Sequence, residues 1–123
     1  MRLTYRTKLN YEHRIEDVPE IEDRCKKDHP HNNVEIIVKV ETTSEFLDFK
    51  TIKDKVEEIL EDFRGVNITD KFGLGTVEKL AFHLGNKISN ALNRRVDLEI
   101  WETEKYGVEL TSKECLVKTS HTD

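Results

Sequence analysis

The chain has 123 residues, with 20 Lys plus Arg against 25 Asp plus Glu and a net charge of −5. One domain is the natural prior at this length, and the missing basic excess excludes a general nucleic-acid binder. With 37% charged and only 36% hydrophobic residues, a solitary monomer would have a thin core, which points to a homo-oligomer that hides further surface between subunits.

Residues 2–9 alternate, with Leu3, Tyr5, Thr7 and Leu9 against Arg2, Thr4, Arg6 and Lys8. Period two predicts a strand with one wet face, and such a start is no signal peptide. Residues 10–33 show no period and are rich in charge, Asn and His. They read as a long loop, which in a compact domain is usually functional. Val34, Ile36, Val38 and Val40 alternate with Glu35, Lys39 and Glu41, predicting a second strand over 34–41.

Phe49, Ile52, Val56, Ile59, Leu60 and Phe63 recur at helical spacing behind Asp48, an apt N-cap. Gly65 and Asn67 end that run, and 64–75 read as a loop containing Gly73 and Gly75. A second helix is predicted from Thr76 to Asn93, with Val77, Leu80, Ala81, Leu84, Ile88 and Ala91 as its stripe. Gly85 inside it costs roughly 1 kcal/mol against Ala. Val96, Leu98 and Ile100 form a third strand, and Tyr106, Val108 and Leu110 a fourth, joined by a hairpin around Glu102 to Lys105.

The order is β-β-α-α-β-β over a single domain at 1–111, followed by a polar tail at 112–123. Strands with one wet face predict an α+β fold, an antiparallel sheet with two helices on one face. Pairing of subunits would close its open edges. No stretch reaches the ~20 apolar residues of a membrane helix, and two cysteines, Cys25 and Cys115, do not make a disulfide framework. The expectation is a reduced, cytoplasmic protein.

The strongest chemical signal is Cys25-Lys-Lys-Asp-His29-Pro-His31, with His13 upstream. In an extended segment His29 and His31 point to one face, so both imidazoles reach one ion and His13 supplies a third ligand. Three protein ligands and an open position are the pattern of a catalytic zinc. Two other readings stand beside it: surface histidines in a polar loop, or a closed structural zinc held by Cys25, His13, His29 and His31. Cys25, beside Arg24 and Lys26 and next to a metal, is a candidate base or nucleophile, and otherwise a small buried hydrophobe. Asp48, Asp62, Glu78 and Glu102 are the carboxylates to weigh, each of them explicable as a cap, a helix-end charge or a solvated group. His83 reads as an ordinary packed or half-exposed helix histidine.

These pieces, in this order, resemble the 6-pyruvoyl-tetrahydropterin synthase and 6-carboxytetrahydropterin synthase family. The matching segments are His13-Arg14-Ile15, Cys25-x-x-x-His29-x-His31, Leu47-Asp48-Phe49, Asn67, Thr76-Val77-Glu78 and Glu102-Thr103, spread from about Leu3 to Leu110. The resemblance implies the tunnelling fold, and trimers paired into hexamers with sites between subunits. It implies zinc on His13, His29 and His31, Cys25 as the catalytic thiol, Glu102 as anchor of the pterin ring and Thr76 beside the same pocket. The implied reaction is a lyase step on 7,8-dihydroneopterin triphosphate or a close relative, in tetrahydrobiopterin, deazaguanine (queuosine) or folate-type metabolism. Three positions depart from the family pattern. Its Asp-His after the first helix is Asp62-Phe63 here, its His-Gly-His is His29-Pro30-His31, and its Pro before the Thr of the second helix is Gly75. Phe63 cannot transfer a proton, so Asp62 or a metal-bound water would work with Cys25 in its place. The alternative is a diverged homologue that binds a pterin or purine-like ligand without turning it over.

Overall fold

The computed structural model describes residues 1–16 and 20–112. Cys115 and nearly all of the expected polar tail lie outside the described residues. The chain runs β1 (Arg2–His13), α1 (Asp23–Lys26), β2 (His29–Glu41), α2 (Phe49–Glu61), α3 (Ile68–Phe72), α4 (Val77–Leu92), β3 (Val96–Trp101) and β4 (Gly107–Leu110). The four strands form one antiparallel sheet in the order β1-β2-β3-β4. This is the expected α+β architecture, with β1 and β4 as its edges.

Alternation decides which side of the sheet is dry. Leu9 and Tyr11 of β1, Val34, Ile36, Val38 and Val40 of β2, and Val96, Leu98 and Ile100 of β3 pack with Ile52, Val56 and Leu60 of α2 and with Leu80, Leu84 and Ile88 of α4. Burial of these side chains is the main force holding helices to sheet. The opposite face carries charge, paired across strands as Arg2–Asp97, Arg6–Glu35 and Lys39–Glu99.

The helix ends follow the capping rules. Asp48 accepts from the Thr51 N–H at 2.7 Å, Thr76 Oγ1 accepts from the Lys79 N–H, and Asn93 closes α4 in the left-handed region at φ 52°. Two expected stripe residues do not face the core: Phe49 is 62% exposed and Ala91 is exposed, the α4 stripe ending on Leu92 instead. Phe49 is the first residue of α2 and Ala91 the penultimate residue of α4.

The expected loops are where the fold departs from the sequence reading. Residues 10–13 continue β1, and 29–33 begin β2, so the loop predicted over 10–33 shrinks to the connection carrying α1. The loop at 64–75 contains α3, capped by Asn67, whose side chain accepts from the N–H groups of Thr69 and Asp70, and closed by Gly73 at φ 70°. Five residues are too few to show a helical period, and only the cap and the glycine mark such a turn.

Candidate metal centre

A one-residue irregularity builds the site. Leu9 pairs with Val34, but Tyr11 pairs with His31 and His13 with His29, so β2 carries one extra residue. Asn33 absorbs it at φ 58°, a left-handed conformation that Asn tolerates better than most side chains. Its N–H donates to Asn10 Oδ1 at 2.7 Å. The bulge exchanges the two faces of β2. From Val34 onward the even residues point to the core, whereas before it the odd ones, His29 and His31, do. They thereby join Tyr11 and His13, which point inward from β1. Pro30 is tolerated because β2 pairs only with β1 at that point.

His13, His29 and His31 each offer a ring nitrogen, and the three atoms lie within 4.8 Å of one another. His13 Nε2 and His31 Nε2 are 2.9 Å apart. His29 Nδ1 is hydrogen-bonded to the Lys27 carbonyl oxygen at 2.8 Å, which leaves Nε2 as its ligand atom. His13 is 2% exposed, and its Nδ1 is a buried polar atom with no hydrogen-bond partner. Burial, then the neighbouring His31 and His29, push its pKa down to about 4, opposed in part by the Gly75 backbone. Burial also lowers His31, against the pull of Glu102. Neutral imidazoles crowded at this separation suit a cation, because a metal ligand must give up its proton. The donor set, three nitrogens without sulfur, fits zinc with an open position.

Glu102 stands at the rim. Its Oε2 is 3.2 Å from His31 Nε2 and accepts from the Tyr11 hydroxyl at 2.5 Å. Burial first, then the Glu102 charge and hydrogen bond, hold the Tyr11 phenol far above its ordinary range. Nothing in the sequence reading singled out Tyr11; the alternation Leu9-Tyr11-His13, followed past Asn10, would have found it. A groove of about 640 Å³ adjoins Glu102, lined among others by Arg6, Lys8, Asn33, Trp101 and Thr103. That volume is in the range of small-molecule sites.

The remaining expected residues are placed as follows. Cys25 lies on α1, a half-buried free thiol whose carbonyl oxygen accepts from the Ile15 N–H at 2.8 Å. Its sulfur is not among the ligand atoms grouped with the three histidines. Asp62 is the exposed C-cap of α2, and its carboxylate also stands outside that group. Thr76 caps α4 just after Gly75, where an added Cβ would stand 3.2 Å from the Arg14 carbonyl oxygen. Phe63 is 1% exposed, stacked on Phe72 at 4.6 Å and edge-on to His83 at 5.6 Å. His83 is thus packed against aromatic rings, as expected.

The family model described as 6-pyruvoyl tetrahydropterin synthase matches residues 2–113. No curated protein sequence matches the chain. Among solved structures, the 6-pyruvoyl tetrahydropterin synthase of Caenorhabditis elegans superposes with a TM-score of 0.69 at 18% identity, over 90% of this chain and 94% of that chain. That likeness shows the tunnelling fold.

Proposed function

The chain belongs to the 6-pyruvoyl tetrahydropterin synthase family, and on that premise we propose that it is a zinc-dependent lyase acting on a pterin. The substrate is 7,8-dihydroneopterin triphosphate or a close relative, and the reaction is elimination or cleavage at the C6 side chain. The observation that carries this reading is the convergence of His13, His29 and His31 beside the Glu102 carboxylate.

In this reading the three histidines hold the zinc, which when bound polarises side-chain oxygens of the substrate as a Lewis acid. Glu102 anchors the pterin by accepting two parallel hydrogen bonds from its amidine-like edge, the geometry at which a carboxylate is strongest. The Tyr11 hydroxyl, bonded to Oε2, fixes the orientation in which that carboxylate meets the ring. Thr76 lines the pterin pocket. Cys25 is the group that moves the proton, with Asp62 as its partner. Chains assemble as trimers or hexamers through the open edges β1 and β4, which leave backbone donors and acceptors to pair. No helix among the described residues is long and apolar enough to cross a membrane, which fits the cytoplasmic setting of this reading.

One observation favours a second reading. Phe63, at the position of the family's proton-relay histidine, is built into the core against Phe72. A chain without that histidine fits a protein that binds a pterin without turning it over. Incubation of the zinc-loaded protein with 7,8-dihydroneopterin triphosphate, read by mass spectrometry, separates the two. A new product establishes the lyase. Unchanged substrate that nevertheless binds the protein establishes the binder, and failure to bind any pterin overturns both.

A further inference from the structure

The three histidines come from two strands, and something must hold those strands at the spacing a metal requires. The residues beside them are acidic: Glu12 precedes His13, and Asp28 precedes His29. Without a donor between them these carboxylates would push the strand ends apart. The side chain of Asn67 lies between them. Its Nδ2 donates to Asp28 Oδ1 at 2.9 Å and, at 3.4 Å, to Glu12 Oε1. An amide –NH2 has two hydrogens, one for each carboxylate.

The same residue is tied down from its other side. Asn67 Oδ1 caps α3 by accepting from the Thr69 and Asp70 N–H groups, both at 3.1 Å. The backbone at 66–67 runs parallel to β1, with the Glu12 N–H donating to the Val66 carbonyl oxygen at 3.0 Å. Thr69 Oγ1 then brackets the residue after His13, accepting from the Arg14 N–H at 3.0 Å and donating to the Arg14 carbonyl oxygen at 2.9 Å. Arg14 in turn bonds Asp28 and Asp70. Apart from the α3 cap, each of these contacts touches a neighbour of His13 or His29, and none touches an imidazole.

We propose that Asn67 is a positioning residue for the metal centre: its carboxamide bridges the carboxylates beside His13 and His29 and fixes the distance between the two strands that carry the ligands. This rests on the reading of the three histidines as a zinc site. The bonds are largely exposed and worth little to global stability, so their consequence should appear in metal affinity instead. Residues that orient metal ligands from behind commonly change affinity 10- to 100-fold when removed.

The test separates the two ends of the amide. Asn67→Asp keeps an acceptor to cap α3 but replaces the donor with a charge facing Asp28 and Glu12. Asn67→Ser keeps a cap without adding charge. Adding Asp28→Asn to Asn67→Asp restores a donor–acceptor pair with its direction reversed. Zinc affinity of the full chain is read by competition with a chromophoric chelator, and the melting temperature of the metal-free protein is read in parallel. The expected result is a loss of about 10- to 100-fold in zinc affinity for both single variants, a metal-free melting temperature near that of the unmodified chain, and recovery of most of the affinity in Asn67→Asp/Asp28→Asn. Unchanged affinity in both single variants overturns the proposal. So does a loss that follows the melting temperature and is not recovered by the second substitution, since Asn67 is then only a helix cap. If the unmodified chain binds no zinc, the metal reading itself fails and takes this inference with it.

Discussion

The backbone N–H of Asn33 donates to the side chain of Asn10 at 2.7 Å, and this bond closes the bulge that turns His31 towards His13. The extra residue sits at φ 58°, where glycine is at ease and β-branched side chains are not. Asn33→Gly should therefore keep both fold and zinc affinity. Asn33→Val should lose about 1–2 kcal/mol of stability and at least tenfold in zinc affinity, because relief of the strain lets β2 slip to the register that turns His31 outward. Urea unfolding and chelator competition measure the two effects. Equal zinc affinity in both variants would refute the role given to the bulge.

The histidine cluster should make the metal-free protein acid-sensitive. His13 titrates at about 4 in the fold against an ordinary 6.5. The unfolded chain therefore holds the proton over a range in which the fold refuses it. Stability should be complete above pH 6.5 and fall steadily as pH drops towards 4, by an amount on the order of 3 kcal/mol. Melting temperatures recorded in a chelator from pH 7.5 to 4.5 should show this slope, and His13→Gln should flatten it. An identical slope in that variant would contradict the assignment.

Phe63 should behave as a core residue. It is 1% exposed and stacked on Phe72. Phe63→Ala should cost about 3–5 kcal/mol by leaving a cavity. Phe63→His should cost about 1–3 kcal/mol by burying a polar ring among apolar neighbours. Denaturant midpoints check both, and a stabilised Phe63→His would show that the position is open to a relay histidine after all.

Gly107 pairs with Trp101 across the β3–β4 hairpin, and an added Cβ would stand 2.5 Å from Trp101 Cδ2 and 2.7 Å from the Ile100 carbonyl oxygen. Gly107→Ala should cost roughly 1–3 kcal/mol and displace the indole, which lines the groove beside Glu102. Trp101 is the sole tryptophan of the chain, so its fluorescence maximum should shift in that variant. An unshifted spectrum with unchanged stability would contradict the packing described.

The parts of the molecule legible in the sequence are those built on an unbroken period. Val34 to Val40 alternate, Ile52 to Leu60 and Leu80 to Ile88 recur at helical spacing, and Asp48, Thr76 and Asn93 announce the ends. The site was half legible. The His29-x-His31 spacing placed two imidazoles together because any extended segment would do so, and His13 joined them by residue type. The bulge at Asn33 was hidden because an extra residue breaks period two in β2, so strand read as loop where His29 and His31 lie, whereas Tyr11 continues the unbroken alternation of β1, masked by its polar neighbours Asn10, Glu12 and His13. Helix α3 was hidden by its five-residue length, and the bridging role of Asn67 depends on Glu12 and Asp28, which are far apart in sequence.

The central claim is that His13, His29 and His31 hold one zinc without help from Cys25. X-ray absorption at the zinc edge on the zinc-loaded full chain, with metal content measured on the same sample, tests it most directly. The account predicts one zinc per chain, nitrogen or oxygen neighbours at roughly 2.0–2.1 Å with the signature of three imidazoles, and no sulfur. A sulfur neighbour near ~2.3 Å would place Cys25 on the metal and make the site a closed structural one, and a chain that retains no zinc would contradict the account outright.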